Sequence, residues 1–179
     1  MQLCDAFDIP LVFLCDTPGI MVGPEVEKTA LVRHASRIFV TAANLSIPFF
    51  TVVLRKAYGL GAMTMAGGSL KAPVFTVSWP TGEFGAMGLE GAVKLGFKKE
   101  LAAAPNDEER QQLFNNMVNE MYERGKAVNT ATFFEFDDVI DPAETRKWLL
   151  AGLASSSPVK GTNKNSNTGA KKRSNVDTW

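Results

Sequence analysis

Few residues in this chain could do chemistry, and those that could lie close together. Arg55-Lys56-Ala57-Tyr58-Gly59-Leu60-Gly61-Ala62 follows an apolar run and opens a stretch of small residues. Gly59 and Gly61 let the backbone approach a ligand with no Cβ in the way. N–H groups at the start of the helix that follows would point at that ligand with the positive end of the macrodipole. Such donors can hold a developing oxyanion, and losing one removes about 2.7–4 kcal/mol of transition-state stabilisation. The same pattern is also a plain strand-to-helix turn with glycines for close packing, and by local pattern alone that is the stronger reading. A second turn of this kind, Gly85-Ala86-Met87-Gly88, follows a later apolar run.

The other chemistry-bearing residues narrow the choice. His34 is the single histidine, so a multi-histidine metal site is excluded, and no metal is expected in this chain. His34 falls on an apolar stripe and reads as a packed, hydrogen-bonded histidine. Cys4 and Cys15 read as buried thiols rather than a disulfide framework. Arg55 and Lys56 are open to two readings: they attract a phosphate or carboxylate, or they solvate a strand end. Glu83 and Glu90 read as structural carboxylates at a helix start. Nucleotide binding is a poor fit. A dinucleotide fingerprint starting at Gly59 would need a small residue where Thr64 stands, and the phosphate loop ending in Gly-Lys-Ser/Thr is absent.

These residues need elements to position them. Met1 to Phe7 reads as the last turns of a helix, broken before Pro10. Leu11 to Cys15 is a continuous apolar run, expected to be a strand covered on both faces. Pro24 to Leu45 reads as one long helix with Val26, Ala30, Leu31, His34, Ile38 and Ala42 on one face. Ile47 to Leu54 is a second buried strand. After it come the loop at Arg55 to Gly61 and a short helix closed by Gly67-Gly68. Val74 to Trp79 is a third strand, and Pro80-Thr81-Gly82 turns the chain into a helical segment reaching Phe97. Asp107 to Arg124 reads as an amphipathic helix capped by Asn106 and stopped by Gly125. Asp137 to Pro142 is a turn or short strand before a final helix to Leu153. Strands alternating with helices predict an α/β fold built from βαβ units.

Composition sets the outer bounds. Apolar residues are 45% of 179, enough for a core through most of the chain. The 19 basic and 19 acidic residues cancel, which gives no reason to expect nucleic acid or a membrane surface as partner. No leader is legible at the N-terminus, so the expected location is cytoplasmic, or the mitochondrial matrix in a eukaryote. The last 25 residues, 155–179, are rich in Ser, Asn, Lys, Thr and Gly. They are expected to be a largely mobile, low-complexity tail. Lys171-Lys172-Arg173 reads as its solubilising end.

Five motifs, in order, resemble a known family: Asp16-Thr17-Pro18-Gly19, Arg55 to Ala62, Ser78-Trp79-Pro80, Gly85 to Gly88, and Asp137-Asp138-Val139-Ile140-Asp141-Pro142. Together with the ending Val176-Asp177-Thr178-Trp179 they resemble the C-terminal portion of the carboxyltransferase (β-type) subunit of biotin-dependent acyl-CoA carboxylases. The resemblance implies a crotonase-like ββα-superhelix fragment with C-terminal helices. Residues 1–154 would be a partial biotin-side domain that lacks its first strands and the acyl-CoA half. It implies a carboxyl group moved from carboxybiotin, held on a separate carrier domain, to an acetyl- or propionyl-class acyl-CoA. Biotin itself would serve as the base, which fits a chain with so little imidazole or thiol. Gly61 and Ala62 would be the backbone oxyanion donors. Gly59, Leu60, Gly85, Ala86, Met87 and Gly88 would line the biotin side, and Thr64 would stand near a position that sets acyl-chain choice. The implied partners are a biotin carboxyl carrier domain, a biotin carboxylase subunit, the acyl-CoA-binding half, and further copies of the chain packed along Asp107 to Arg124. Alternatives from the same resemblance are a decarboxylase or transcarboxylase subunit, or a non-catalytic fragment that binds a partner. An enoyl-CoA hydratase or isomerase is weaker, because no glutamate follows the glycine turns in the right place.

Overall fold

An all-parallel sheet carries the fold. The computed structural model of the chain describes residues 1–156. Its elements are α1 (Gln2–Ala6), β1 (Leu11–Thr17), α2 (Pro24–Glu27), α3 (Leu31–Ala43), β2 (Phe49–Tyr58), α4 (Gly59–Met65), β3 (Thr76–Ser78), β4 (Glu83–Gly85), α5 (Leu89–Gly96), α6 (Lys98–Ala102), α7 (Asp107–Gly125), α8 (Ala127–Ala131) and β5 (Asp138–Val139), then a 3-10 turn (Pro142–Glu144) and α9 (Thr145–Ser155). The sheet order is β1-β2-β3-β5, and β4 also pairs with β2. The tail expected from Ser155 onward lies, from residue 157, outside the described residues. Among the described residues no helix is long and apolar enough to cross a membrane.

β2 is the axis of the sheet. Its first half pairs with β3 through Thr51–Val53, and its second half pairs with β4 through Lys56–Tyr58. Successive side chains on a strand face opposite ways. Phe50 and Val52 therefore join Phe75, Val77 and Ile140 in a core closed by Trp148 and Leu149 of α9. Val53 and Ala57 join Cys15, Ala62, Ala66, Phe84 and Phe136 in a second core on the other side. The Phe84 and Phe136 rings stack there with centroids 4.8 Å apart.

The structure corrects the sequence reading at several places. Arg55–Tyr58 is not loop but the end of β2, which continues because β4 takes over the pairing that β3 gives up after Ser78. For the same reason Glu83–Gly85 is strand, not helix, and the helix starts only at Leu89. The long helix from Pro24 is two helices. Ala30 adopts a left-handed conformation (φ 58°), and the Thr29 hydroxyl donates to the Val26 carbonyl at 2.6 Å, ending the first helix locally. β1 is covered on one face only. Val12 is 43% and Leu14 55% exposed, because an apolar run fixes neither which face is covered nor by what. α7 runs one residue past Arg124 and ends on Gly125 itself, where a Cβ would fall on the Phe84 carbonyl.

Local signals held elsewhere. The Asn106 side chain accepts from the Glu109 amide at 2.8 Å and caps α7. Gly67 and Gly68 close α4. Their amides donate to Thr64 at 3.3 Å and Met63 at 2.8 Å, and both glycines have positive φ.

Candidate active site

The end of β2 delivers the chain directly into α4. Tyr58 is the last strand residue and the N-cap, with φ −108° and ψ 131°. The N-cap carbonyl accepts the first intrahelical bond, and the amides of the first turn have no intrahelical partner. By that geometry Leu60 and Gly61 have amides without an intrahelical partner, while Gly59, with φ +56°, stands between strand and helix. Ala62 is the first residue whose amide the helix uses, and its side chain is 3% exposed within the core. The expected donor pair, Gly61 and Ala62, therefore lies at the end of this first turn.

Both glycines are sterically required. Gly59 has φ +56°, and a Cβ there would lie 2.7 Å from the Ala86 carbonyl oxygen. A Cβ on Gly61 would lie 2.9 Å from the Gly19 backbone and 3.0 Å from the Thr17 hydroxyl. The α4 N-terminus thus touches the Gly85–Ala86 segment on one side and the Thr17–Gly19 turn on the other. Leu60 (63% exposed) and Met87 (42%) project outward at this end, and Gly88 caps α5 with nothing crowding it.

Two side-chain contacts brace this arrangement, and neither was expected from sequence. The Tyr58 hydroxyl donates to Glu83 Oε2 at 2.9 Å. Burial, then the bond to Glu83, pushes the Tyr58 hydroxyl above its ordinary range, so it remains a donor. Asp16 accepts from Arg55 Nη2 at 3.0 Å and from the Lys56 amide at 3.1 Å. The Arg55 bond holds the Asp16 carboxyl below its usual value. Arg55 is therefore engaged across β1 and β2. Cys15, next to Asp16, is pushed up to about 11 by burial and is an inert core thiol.

A cleft of about 370 Å³ opens beside α4. Gly61, Thr64, Asp16 and Thr17 meet Leu31, His34 and Ile38 of α3 across it. His34 is exposed on this wall, not packed in a core, because its face of α3 borders the open cleft. The Thr64 hydroxyl turns back to the Leu60 carbonyl at 2.7 Å. The structure therefore divides the expected site residues in two. Gly59, Gly85 and Ala86 meet at one side of the α4 N-terminus, while Gly61 and Thr64 line the cleft on the other.

Comparison with known proteins agrees with this geometry. The carboxyl transferase domain matches residues 1–175. The 12S subunit of methylmalonyl-CoA carboxyltransferase from Propionibacterium freudenreichii is 36% identical over 157 residues, covering 86% of this chain and 29% of that protein. The carboxyltransferase subunit of propionyl-CoA carboxylase from Haloferax mediterranei is 35% identical, covering 86% of this chain and 29% of that protein. A solved single-chain, multi-domain long-chain acyl-CoA carboxylase is 53% identical with a TM-score of 0.74, over 84% of this chain and 14% of that one. The transcarboxylase 12S structure, a hexamer, gives a TM-score of 0.78 at 31% identity, over 94% of this chain and 32% of that one. The chain thus spans under a third of the length of these relatives, and its fold is the crotonase-like fold of these carboxyltransferases. It belongs to the carboxyl transferase domain family.

Proposed function

We propose that this chain is the biotin-side portion of a biotin-dependent acyl-CoA carboxyltransferase, in which the α4 N-terminus is a backbone oxyanion hole. The observation that carries the reading is the glycine cradle. Gly59 and Gly61 stand where a Cβ would strike backbone at 2.7 and 2.9 Å, next to amides that the helix leaves free. A cradle of N–H donors suits the ureido oxygen of a biotin group, which offers only an acceptor. Residues 1–154 form the functional domain in this reading. Gly61 and Leu60 donate, Gly59 permits the approach, and Gly85 to Gly88 form the facing wall. The Ala62 amide belongs to the helix.

When bound, carboxybiotin would supply both the carboxyl group and the base. The chain's own residues hold, orient and exclude water. Donors fixed before the reaction cost no reorganisation as negative charge develops, which is the source of their catalytic value. The partners in this reading are a carrier domain, a biotin carboxylase subunit, the acyl-CoA half and further copies of the chain, in the cytoplasm or the matrix of a mitochondrion. A transcarboxylase direction is the second reading, favoured by the similarity to the 12S subunit.

A substrate longer than acetyl or propionyl is supported by the cleft. Its lining is mostly apolar, and its 370 Å³ exceeds what an acetyl or propionyl group fills. The 53% identity to a long-chain acyl-CoA carboxylase points the same way. The test is carboxyl exchange between free biotin and malonyl-, methylmalonyl- or longer carboxyacyl-CoA. No exchange is expected from the chain alone, and exchange is expected once the acyl-CoA half is added. Absence of rescue with every thioester would sink the reading.

A further inference from the structure

The loop that faces α4 is bracketed by two tyrosine–glutamate hydrogen bonds. At its start, Tyr58 of β2 donates to Glu83 of β4 at 2.9 Å. Just after it, Tyr122 of α7 donates to Glu90 in the first turn of α5 at 3.3 Å. The first bond is the inner one. Tyr58 is 3% exposed, whereas the Tyr122–Glu90 bond lies in solvent. Tyr58 and Gly85 are direct partners across the strand pair, and a Cβ on Gly85 would lie 3.1 Å from the Tyr58 ring. One residue further along each strand, Gly59 rests on the Ala86 carbonyl.

The β2–β4 ladder alone holds this junction weakly. It is only three residue pairs long, with register Lys56↔Glu83, Ala57↔Phe84 and Tyr58↔Gly85. The side-chain bond spans the ladder from its last pair to its first. It therefore fixes both the sliding and the splaying of one glycine turn against the other.

We propose that Tyr58 is a positioning residue, its hydroxyl bond to Glu83 clamping the 59–61 and 85–88 turns in register where they meet at the α4 N-terminus. The catalytic consequence rests on the carboxyltransferase reading above, but the clamp itself does not. Tyr58 touches no reacting atom. It acts through the backbone on either side of it. A misplacement of about 1 Å can lower a rate roughly 100-fold.

Hydrogen–deuterium exchange on the full chain tests the clamp directly. Tyr58→Phe removes one oxygen and keeps the ring. Amides of the β2–β4 ladder, at 57–58 and 84–85, should then exchange roughly ten- to hundredfold faster, as for loss of a hydrogen bond to a charged group. Amides in the Phe50–Phe75–Val77 core should be unchanged. Glu83→Gln keeps an acceptor oxygen and should retain near-parent protection, and Glu90→Gln, which leaves both tyrosine hydroxyls in place, should leave the ladder amides unaltered. Unchanged exchange along the β2–β4 ladder in Tyr58→Phe would overturn the clamp, as would uniform acceleration over the whole chain. In the assembly reconstituted with the acyl-CoA half, the same variant should lower kcat while KM for the thioester holds. A parent assembly with no turnover would count against the carboxyltransferase reading alone, and the amide exchange would still decide the clamp.

Discussion

The two ends of α4 use the same residue type for different ends. At its C-terminus, Gly67 and Gly68 take positive φ so that their amides can reach back to Thr64 and Met63. The turn itself is a local requirement, and the one close approach here, of the Phe49 ring at 2.6 Å to a Cβ on Gly67, is by a side chain rather than by backbone. At its N-terminus, Gly59 and Gly61 are needed because other segments come close, namely Ala86 at 2.7 Å and Gly19 at 2.9 Å from the Cβ positions. The first pair terminates a helix, and the second builds a meeting point of three segments. Packing explains the C-terminal end completely. At the N-terminal end it leaves free amides in a place where backbone has been brought together at some cost.

The comparison breaks most visibly at Gly59. Gly59→Ala places a methyl group against the Ala86 carbonyl in a left-handed conformation. Carboxyl exchange by the reconstituted assembly should fall by about 100-fold or more, read as kcat. Gly67→Ala is the matched change at the other end. It meets the Phe49 ring at 2.6 Å and also has positive φ. It should lower stability by roughly 1–3 kcal/mol in a denaturant titration while turnover per folded molecule stays the same. Equal losses of turnover from both variants would erase the distinction between the two ends.

A smaller effect is expected at Asp16, which braces the N-terminal end from β1. Its carboxyl is lowered from 3.8, chiefly by the Arg55 hydrogen bond. A depressed folded-state value means the contribution to stability is fully present above the unfolded value. It is lost as pH falls through the folded value. Melting temperatures of the parent and Asp16→Asn should therefore differ by a small, constant amount above about pH 5 and converge below pH 4. A gap that widens on acidification would contradict this.

Legibility in the sequence follows the same division. The Asn106 cap, the Gly67-Gly68 stop and the proline at the start of the last turn before α9 are set by neighbours within a few residues, and all were readable. The α/β class was readable from the alternation of apolar runs. The break at Ala30 was not, because nothing in Lys28-Thr29-Ala30 forbids a helix. β4 was missed because Glu83-Phe84-Gly85 becomes a strand only through pairing with Lys56–Tyr58. The Tyr58–Glu83 and Asp16–Arg55 contacts bridge 25 and 39 residues of chain, beyond any local pattern. His34 was misplaced for a related reason. A helical stripe gives the face, but the position of the helix on the sheet decides what that face meets.

The central claim is that the free amide at Gly61 is a donor in the reaction. An amide-to-ester replacement at that residue, glycolic acid for glycine, removes the N–H and adds no atom at the Gly19 contact. In the reconstituted assembly the account predicts that kcat for carboxyl exchange drops about 10²–10³-fold with acyl-CoA affinity unchanged. A kcat within roughly twofold of the parent would contradict it, since one lost oxyanion donor should cost far more.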